Sequence, residues 1–182
     1  MKIYTRTGDD GTTGLLYGGR VAKDSAVIAA NGAVDEAQAT LGMARSQVEK
    51  GSELDTILVA LERDLYVLMA EVATAEVNRG KLQPGVSLVT EEMVGALEDR
   101  IDDLTARFPP LKDFVVPGHD PVSAALDLAR TTVRRAEREA LAACAPDSLV
   151  VRYLNRLSDL VWTMARWQEQ GDSLLSRKAG RR

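Results

Sequence analysis

Apolar residues recur along most of this chain at alternating steps of three and four, the spacing that puts them on one face of a helix. From Asp24 onward, Val27, Ala30, Val34, Ala37, Leu41, Ala44 and Val48 share such a face. Asp24 or Ser25 is placed to cap its start, and Gly51 to close its end. After Ser52 the spacing returns in Leu54, Leu58, Leu61, Leu65, Leu68, Val72 and Ala75, which predicts a second helix to about Val77. Gly80, Pro84 and Gly85 make 78–89 a connecting loop. Thr90 opens a third helix with Met93, Leu97, Ile101 and Leu104 on its apolar face, and Pro109 and Pro110 end it. Pro121 suits the first turn of a fourth helix, whose stripe is Val122, Ala125, Leu126, Ala129, Val133, Ala136 and Ala140. Pro146 breaks that helix. Asp147 or Ser148 then caps a fifth, which carries Val151, Leu154, Leu157, Val161 and Met164 and stops near Gly171.

Five amphipathic helices with short links predict an all-α protein, a five-helix bundle with ferritin-like up-down packing. Residues 1–22 break the pattern. Five glycines there stand among Thr5, Thr7, Thr12 and Thr13, and only Lys2 to Arg6 could form a short extended piece. The expected organisation is one domain over 1–182: an extended N-terminal arm (1–22), a helical bundle (23–171) and a tail (172–182) that is basic and frayed from Arg177 to Arg182. With aromatics at only 4 %, alanine, leucine and valine fill the core positions, which favours closely packed helices.

The net charge of −4 argues against a nucleic-acid binder, which would usually be basic. Cys144 is the only cysteine, so an internal disulfide is excluded and a reducing compartment is expected. The first residues hold no apolar signal-peptide region, and no run of eighteen apolar residues occurs. A cytoplasmic protein is the expectation.

Four places could carry chemistry. In the arm, Gly8, Gly11, Gly14, Gly18 and Gly19 would let backbone N–H groups approach phosphates, with Arg6, Arg20 and Lys23 supplying charge; a solvated terminus has the same composition. On the fourth helix Arg130, Arg134 and Arg138 are four residues apart, with Glu137 on the same face and Arg135 beside it. Such a row could grip a triphosphate in forked geometry, or form a salt-bridged surface. Asp35, next to the core residue Val34, calls for a partner such as a fourth-helix arginine. In the fifth helix Asn155 and Asp159 share a face, although asparagine is mildly unfavourable there. His119, the only histidine, has neither a histidine pair nor a cysteine cluster to make a transition-metal site.

The order of these strings is more telling than any one of them. Tyr4-Thr-Arg-Thr-Gly-Asp-Asp-Gly11 comes first, then Lys23-Asp24, Val34-Asp35-Glu36 and Phe114-Val-Val-Pro-Gly118. Arg134-Arg-Ala-Glu-Arg138 and Leu154-Asn-Arg-Leu-Ser-Asp159 follow. Over about residues 2–170 the chain resembles the ATP:cob(I)alamin adenosyltransferases of the propanediol-utilisation and human mitochondrial type. The resemblance implies transfer of the 5′-deoxyadenosyl group of ATP to Co(I) of reduced cobalamin, with triphosphate released. It further implies a homotrimer with active sites between subunits, and as further partners a cobalamin reductase and an adenosylcobalamin-dependent mutase. Thr5, Thr7, Gly8, Asp9, Gly11 and Lys23 would surround ATP and Mg²⁺, and Arg134, Arg135, Glu137 and Asn155 would complete the pocket, with Glu137 on the metal. Asp35 and Arg130 would pair to shape the corrinoid site. Phe114 would press on the lower face of the corrin ring, keeping an axial ligand off cobalt so that Co(I) is easier to reach. Where many relatives read Pro-Gly-Gly, this chain has Pro117-Gly118-His119. The rival readings are a corrinoid or nucleotide carrier on the same bundle, and a bundle whose arginine row docks a protein.

Overall fold

The structure is a computed structural model and describes Tyr4 and residues 6–177. Its helices are α1 (Ala26–Arg45), α2 (Glu53–Val72), α3 (Glu91–Thr105), α4 (Pro121–Ala143) and α5 (Val150–Gln168). Every residue of the anticipated α4 stripe is buried. The core runs through all five helices.

Side-chain bonds fix the relative directions of the helices. Thr40 and Thr132 hydroxyls meet at 2.8 Å, and Glu36 pairs with Arg135, so α1 and α4 are antiparallel. Asn155 bonds Glu137 and Arg166 bonds Asp127, which makes α4 and α5 antiparallel. Gln38 donates to the Glu62 carbonyl and Arg45 pairs with Asp55, so α2 also runs against α1. Arg152 pairs with Glu91 and Arg156 with Glu98, setting α3 parallel to α5. The helices therefore alternate up and down in chain order. In space α3 lies outermost and packs on α5, while α1 and α4 share the most extensive interface. That seam is built on Ala30, Ala33, Ala37 and Ala44 facing Ala125, Ala129, Ala136 and Ala140, all buried. Small side chains allow two helix axes to approach closely.

Three helix starts carry side-chain caps. Ser52 accepts from the Asp55 N–H, Thr90 from the Met93 N–H, and Asp120 from the Val122 and Ser123 N–H groups, with Ser123 closing a capping box. Ser25 holds the N-cap position of α1 without a side-chain bond. At α5 the N-cap position is Leu149; Ser148 still accepts from the Val150 N–H at 3.3 Å.

The ends of two helices differ from the expectation. Helix α1 ends at Arg45, and Gly51, at φ +80°, belongs to the turn that starts α2, its N–H bonded to Asp55. Helix α2 ends at Val72 because the arm docks there: the Leu16 N–H donates to the Ala73 carbonyl at 2.8 Å, and Leu16 bridges to Thr74. A short 3₁₀ turn, Glu76–Lys81, occupies part of the anticipated loop. Among the described residues the extended part of the arm is an antiparallel hairpin, β1 (Thr12–Gly14) with β2 (Arg20–Ala22), and Arg6 has φ +61°. Lys2, Ile3 and Thr5 lie outside the described residues. Residues 173–177 are held by hydrogen bonds and an ion pair, and 178–182 lie outside the described residues.

No helix among the described residues is long and apolar enough to cross a membrane.

Candidate active site

The arm folds its glycines around a lysine. The Lys23 N–H donates to the Gly11 carbonyl at 2.9 Å, and the Gly11 N–H to the Gly8 carbonyl at 3.3 Å. Gly11 has φ +82°, a conformation that glycine adopts without strain. A Cβ on Gly8 would lie 3.1 Å from the Lys23 ammonium, so the lysine lies directly over a bare backbone. Arg20 ties the loop shut, donating to the Thr7 carbonyl and the Thr12 hydroxyl. The Thr12 N–H and hydroxyl both donate to Asp10 and hold its carboxyl below the usual range. Asp9 is exposed. The structure thus gathers Thr7, Gly8, Gly11 and Lys23 into one turn; Thr5 lies outside the described residues.

The second group sits on α4 and α5. Asn155 donates to Glu137 at 2.9 Å and accepts from Arg156 at 2.7 Å, and Arg156 pairs with Glu98. This chain of bonds accounts for an asparagine inside a helix. Arg134 and Arg138 are exposed, and Arg138 donates to the Arg134 carbonyl. Arg135 is occupied by Glu36.

The third group lines a cavity of about 700 Å³ between the 111–117 loop and α4 and α5. Phe114, 82 % exposed, forms part of its wall, together with Lys112, Asp127, Arg130, Trp162 and Arg166. The Arg130 Nε is buried without a partner. Beneath the cavity, Arg166 donates to Asp127 at 2.7 Å and to Glu169 at 2.9 Å, with all three side chains almost wholly buried. Its guanidinium also lies 5.8 Å from the Trp162 ring centroid. His119 is exposed and outside the cavity lining.

The expected catalytic set is therefore divided. Phe114 and Arg130 share the cavity, and Arg134 lies one helical turn further along α4. Asp35 is exposed in a separate groove with Gln38, Arg45, Arg63 and Tyr66, and forms no ion pair with Arg130 within one chain. The arm and the α4 arginines lie toward the same end of the bundle, because α1 and α4 are antiparallel. From the level of Arg135, which meets Glu36, to the start of α1 is about 15 Å of helix. Among the described residues no hydrogen bond links the arm to α4.

Several residues escaped the sequence reading. Asp127, Arg166 and Glu169 stabilise one another across two helices, and no local spacing joins residues 39 apart. The available signal was a charge within the apolar run from Val161 to Trp167. Buried Glu71 was missed too. It accepts from the Val89 N–H and the Ser148 hydroxyl and faces Arg79, tying the 3₁₀ turn to the start of α5.

Comparison with known proteins bears directly on these groups. The cobalamin adenosyltransferase family matches residues 3–168. A corrinoid adenosyltransferase of Mycobacterium tuberculosis is 40 % identical over the whole of this chain and 95 % of its own length. One from Citrobacter freundii is 42 % identical over 92 % of this chain and 95 % of its own. A variant PduO-type ATP:corrinoid adenosyltransferase from Lactobacillus reuteri, complexed with cobalamin and ATP, superposes with a TM-score of 0.85 at 30 % identity, covering 97 % of this chain and 100 % of that one. On a family match that spans nearly all of its length, with relatives about 40 % identical from end to end and the same fold, the chain belongs to the cobalamin adenosyltransferase family.

Proposed function

We propose that this corrinoid adenosyltransferase seats the corrin ring in the cavity walled by Phe114 and Arg130, and grips the triphosphate of ATP between the arm and the arginines of α4. The observation that carries this reading is the cavity itself. It combines an exposed phenyl ring with an unpartnered buried guanidinium nitrogen and lies next to the arginine row. A phenyl ring against the lower face of the ring keeps an axial ligand from cobalt, and removing a donor ligand eases reduction of the metal. Attack of Co(I) on C5′ then expels triphosphate. Arg134, Arg138 and Lys23 carry the charge that meets the leaving group.

Mg²⁺ fits this scheme as part of the nucleotide. No group of three His, Cys, Asp or Glu able to hold a metal occurs among the described residues. Glu137 offers one carboxylate, with Oε1 on Asn155. One carboxylate plus phosphate oxygens and waters is an ordinary Mg²⁺ environment. When bound, the ion would neutralise phosphate charge.

We further infer a homotrimer. Asp35 is exposed and unpaired, and the Arg130 Nε is buried and unpaired, a combination that a neighbouring copy would resolve by pairing the two between subunits. The single cysteine fits a cytoplasmic enzyme. A reductase that supplies the low-valent corrinoid and a mutase that accepts the product are the proposed protein partners.

The test is anaerobic mixing of the protein with ATP, Mg²⁺ and chemically reduced cobalamin. The corrin spectrum should change to that of adenosylcobalamin as triphosphate appears. Arg134→Ala should lower turnover by about 10²–10³ with the helical circular dichroism unchanged. Stoichiometric binding of both ligands without turnover would instead favour the carrier.

A further inference from the structure

The loop that presents Phe114 contains no helix or strand between Pro109 and Pro117, apart from one bridge residue. Its geometry is imposed from outside, by the segment that follows α5. There the backbone reverses through Gln170 and Gly171, at φ +51° and +93°. A Cβ on Gly171 would lie 3.1 Å from Pro109 Cγ, so this turn presses on the beginning of the loop. Two residues later the Ser173 hydroxyl donates to Glu169, which holds Arg166, which holds Asp127 in the cavity wall. The chain then pairs with the Phe114 backbone on both sides. The Val116 N–H donates to the Leu174 carbonyl at 2.7 Å, and the Ser176 N–H donates to the Phe114 carbonyl at 2.7 Å, around an antiparallel Val115–Leu175 bridge. Asp113 accepts from the Ser176 hydroxyl at 3.2 Å and pairs with Arg177 at 3.5 Å.

Phe114 itself has little to hold it, since its side chain is 82 % exposed. A loop residue left free keeps its backbone entropy, and a ring that wanders cannot exclude a ligand from one face of a metal. The constraint must therefore act on the backbone. The bonds at the Phe114 carbonyl and the Val116 N–H are where it acts.

We propose that residues 173–177 form a backbone clamp that positions Phe114 for ligand exclusion, and that the Glu169–Arg166–Asp127 chain registers this clamp against the cavity. The proposal rests on the reading that Phe114 walls the corrinoid site. The clamp residues are positioning residues, and none of them touches substrate. The clamp acts in the same step as Phe114. It matters when the enzyme starts from cob(II)alamin, whose axial ligand must be kept away before reduction. It matters little when cobalt is already Co(I).

Ser176→Pro removes the N–H that bonds Phe114 while leaving α5 intact, deletion of 173–182 removes the whole clamp, and Ser176→Ala retains the N–H. Adenosylcobalamin formation is followed from cob(II)alamin with a mild one-electron reductant, and separately from borohydride-reduced cob(I)alamin. Ser176→Pro and the deletion should each slow the first reaction by roughly tenfold or more with the second nearly unchanged, the same split as Phe114→Ala. Ser176→Ala should keep the wild-type ratio. Without any corrinoid, amide exchange at Val116 should accelerate in the deletion variant while amides in α4 stay protected. Two results overturn the clamp and spare the cavity reading: Phe114→Ala splits the two rates while Ser176→Pro and the deletion do not, or the clamp variants lower both rates equally. If Phe114→Ala itself gives no split, the cavity reading fails and the clamp loses its purpose with it.

Discussion

Tyr153 is wholly buried, and its hydroxyl donates to Asp64 at 2.8 Å. Burial pushes this phenol well above its ordinary 10.0, and the Asp64 charge adds to the effect. Burial raises the Asp64 carboxyl too, partly offset by the tyrosine's hydrogen bond. Because the folded phenol holds its proton where the unfolded one has lost it, its stabilising contribution is complete below about pH 10 and declines as pH rises further. Urea melts between pH 7 and 11 should show stability falling at the alkaline end. Tyr153→Phe should flatten that fall, and at pH 7 it should cost about 1–3 kcal/mol by leaving Asp64 without its donor. An alkaline slope identical to wild type would refute the assignment. At this scale the sequence was legible where residues act alone. Phe114 and Arg130 could be named from their strings, and they share one cavity. Residues that act in pairs were hidden. The role of Arg166 shows only once Asp127 and Glu169 stand beside it.

Among the elements, helices could be read wherever one face is apolar over many turns, as α4 shows residue by residue. Their ends could not, because partners far along the chain set them. Helix α2 stops where Leu16 takes the Ala73 carbonyl, and nothing near Val72 foretells that contact. The hairpin was equally opaque: three-residue strands of threonine, glycine and arginine have no alternation to read. The arm nevertheless permits a sharp test. Gly8→Val would put branched carbon where the Lys23 ammonium and the Thr12 carbonyl now approach to 3.1 Å. The lysine should be displaced, and ATP affinity by calorimetry should fall at least tenfold, about 1.4 kcal/mol, with the melting temperature little altered. Full affinity would mean that Lys23 does not meet the nucleotide from this position.

For the molecule as a whole, the unpaired Asp35 and Arg130 supply a test of assembly. Asp35→Ala and Arg130→Ala should each be poorly active. Coexpressed, they should regain activity, because an interface between the two kinds of subunit rebuilds one intact Asp35–Arg130 pair. A pair formed within a chain could never be rebuilt in this way, so mixed assemblies as inactive as either parent would exclude the arrangement between subunits. Sedimentation should return three times the chain mass. The sequence could not reveal this level except by resemblance, since side chains that leave the core spacing are equally suited to water and to a neighbour.

The alanine seam between α1 and α4 has a consequence for how such a protein can change. One methyl group per position leaves nothing to trim and no slack to absorb an added carbon. Enlarging Ala37 or Ala129 would wedge the two helices apart, at a cost of about 1–3 kcal/mol, and would swing Arg130 and Arg134 with the displaced helix. Helix α3 packs chiefly on α5, and its outward face bears no residue of either proposed site. Sequence drift, and any library built to retune the enzyme, should therefore accumulate on the outward face of α3 and stall along the seam.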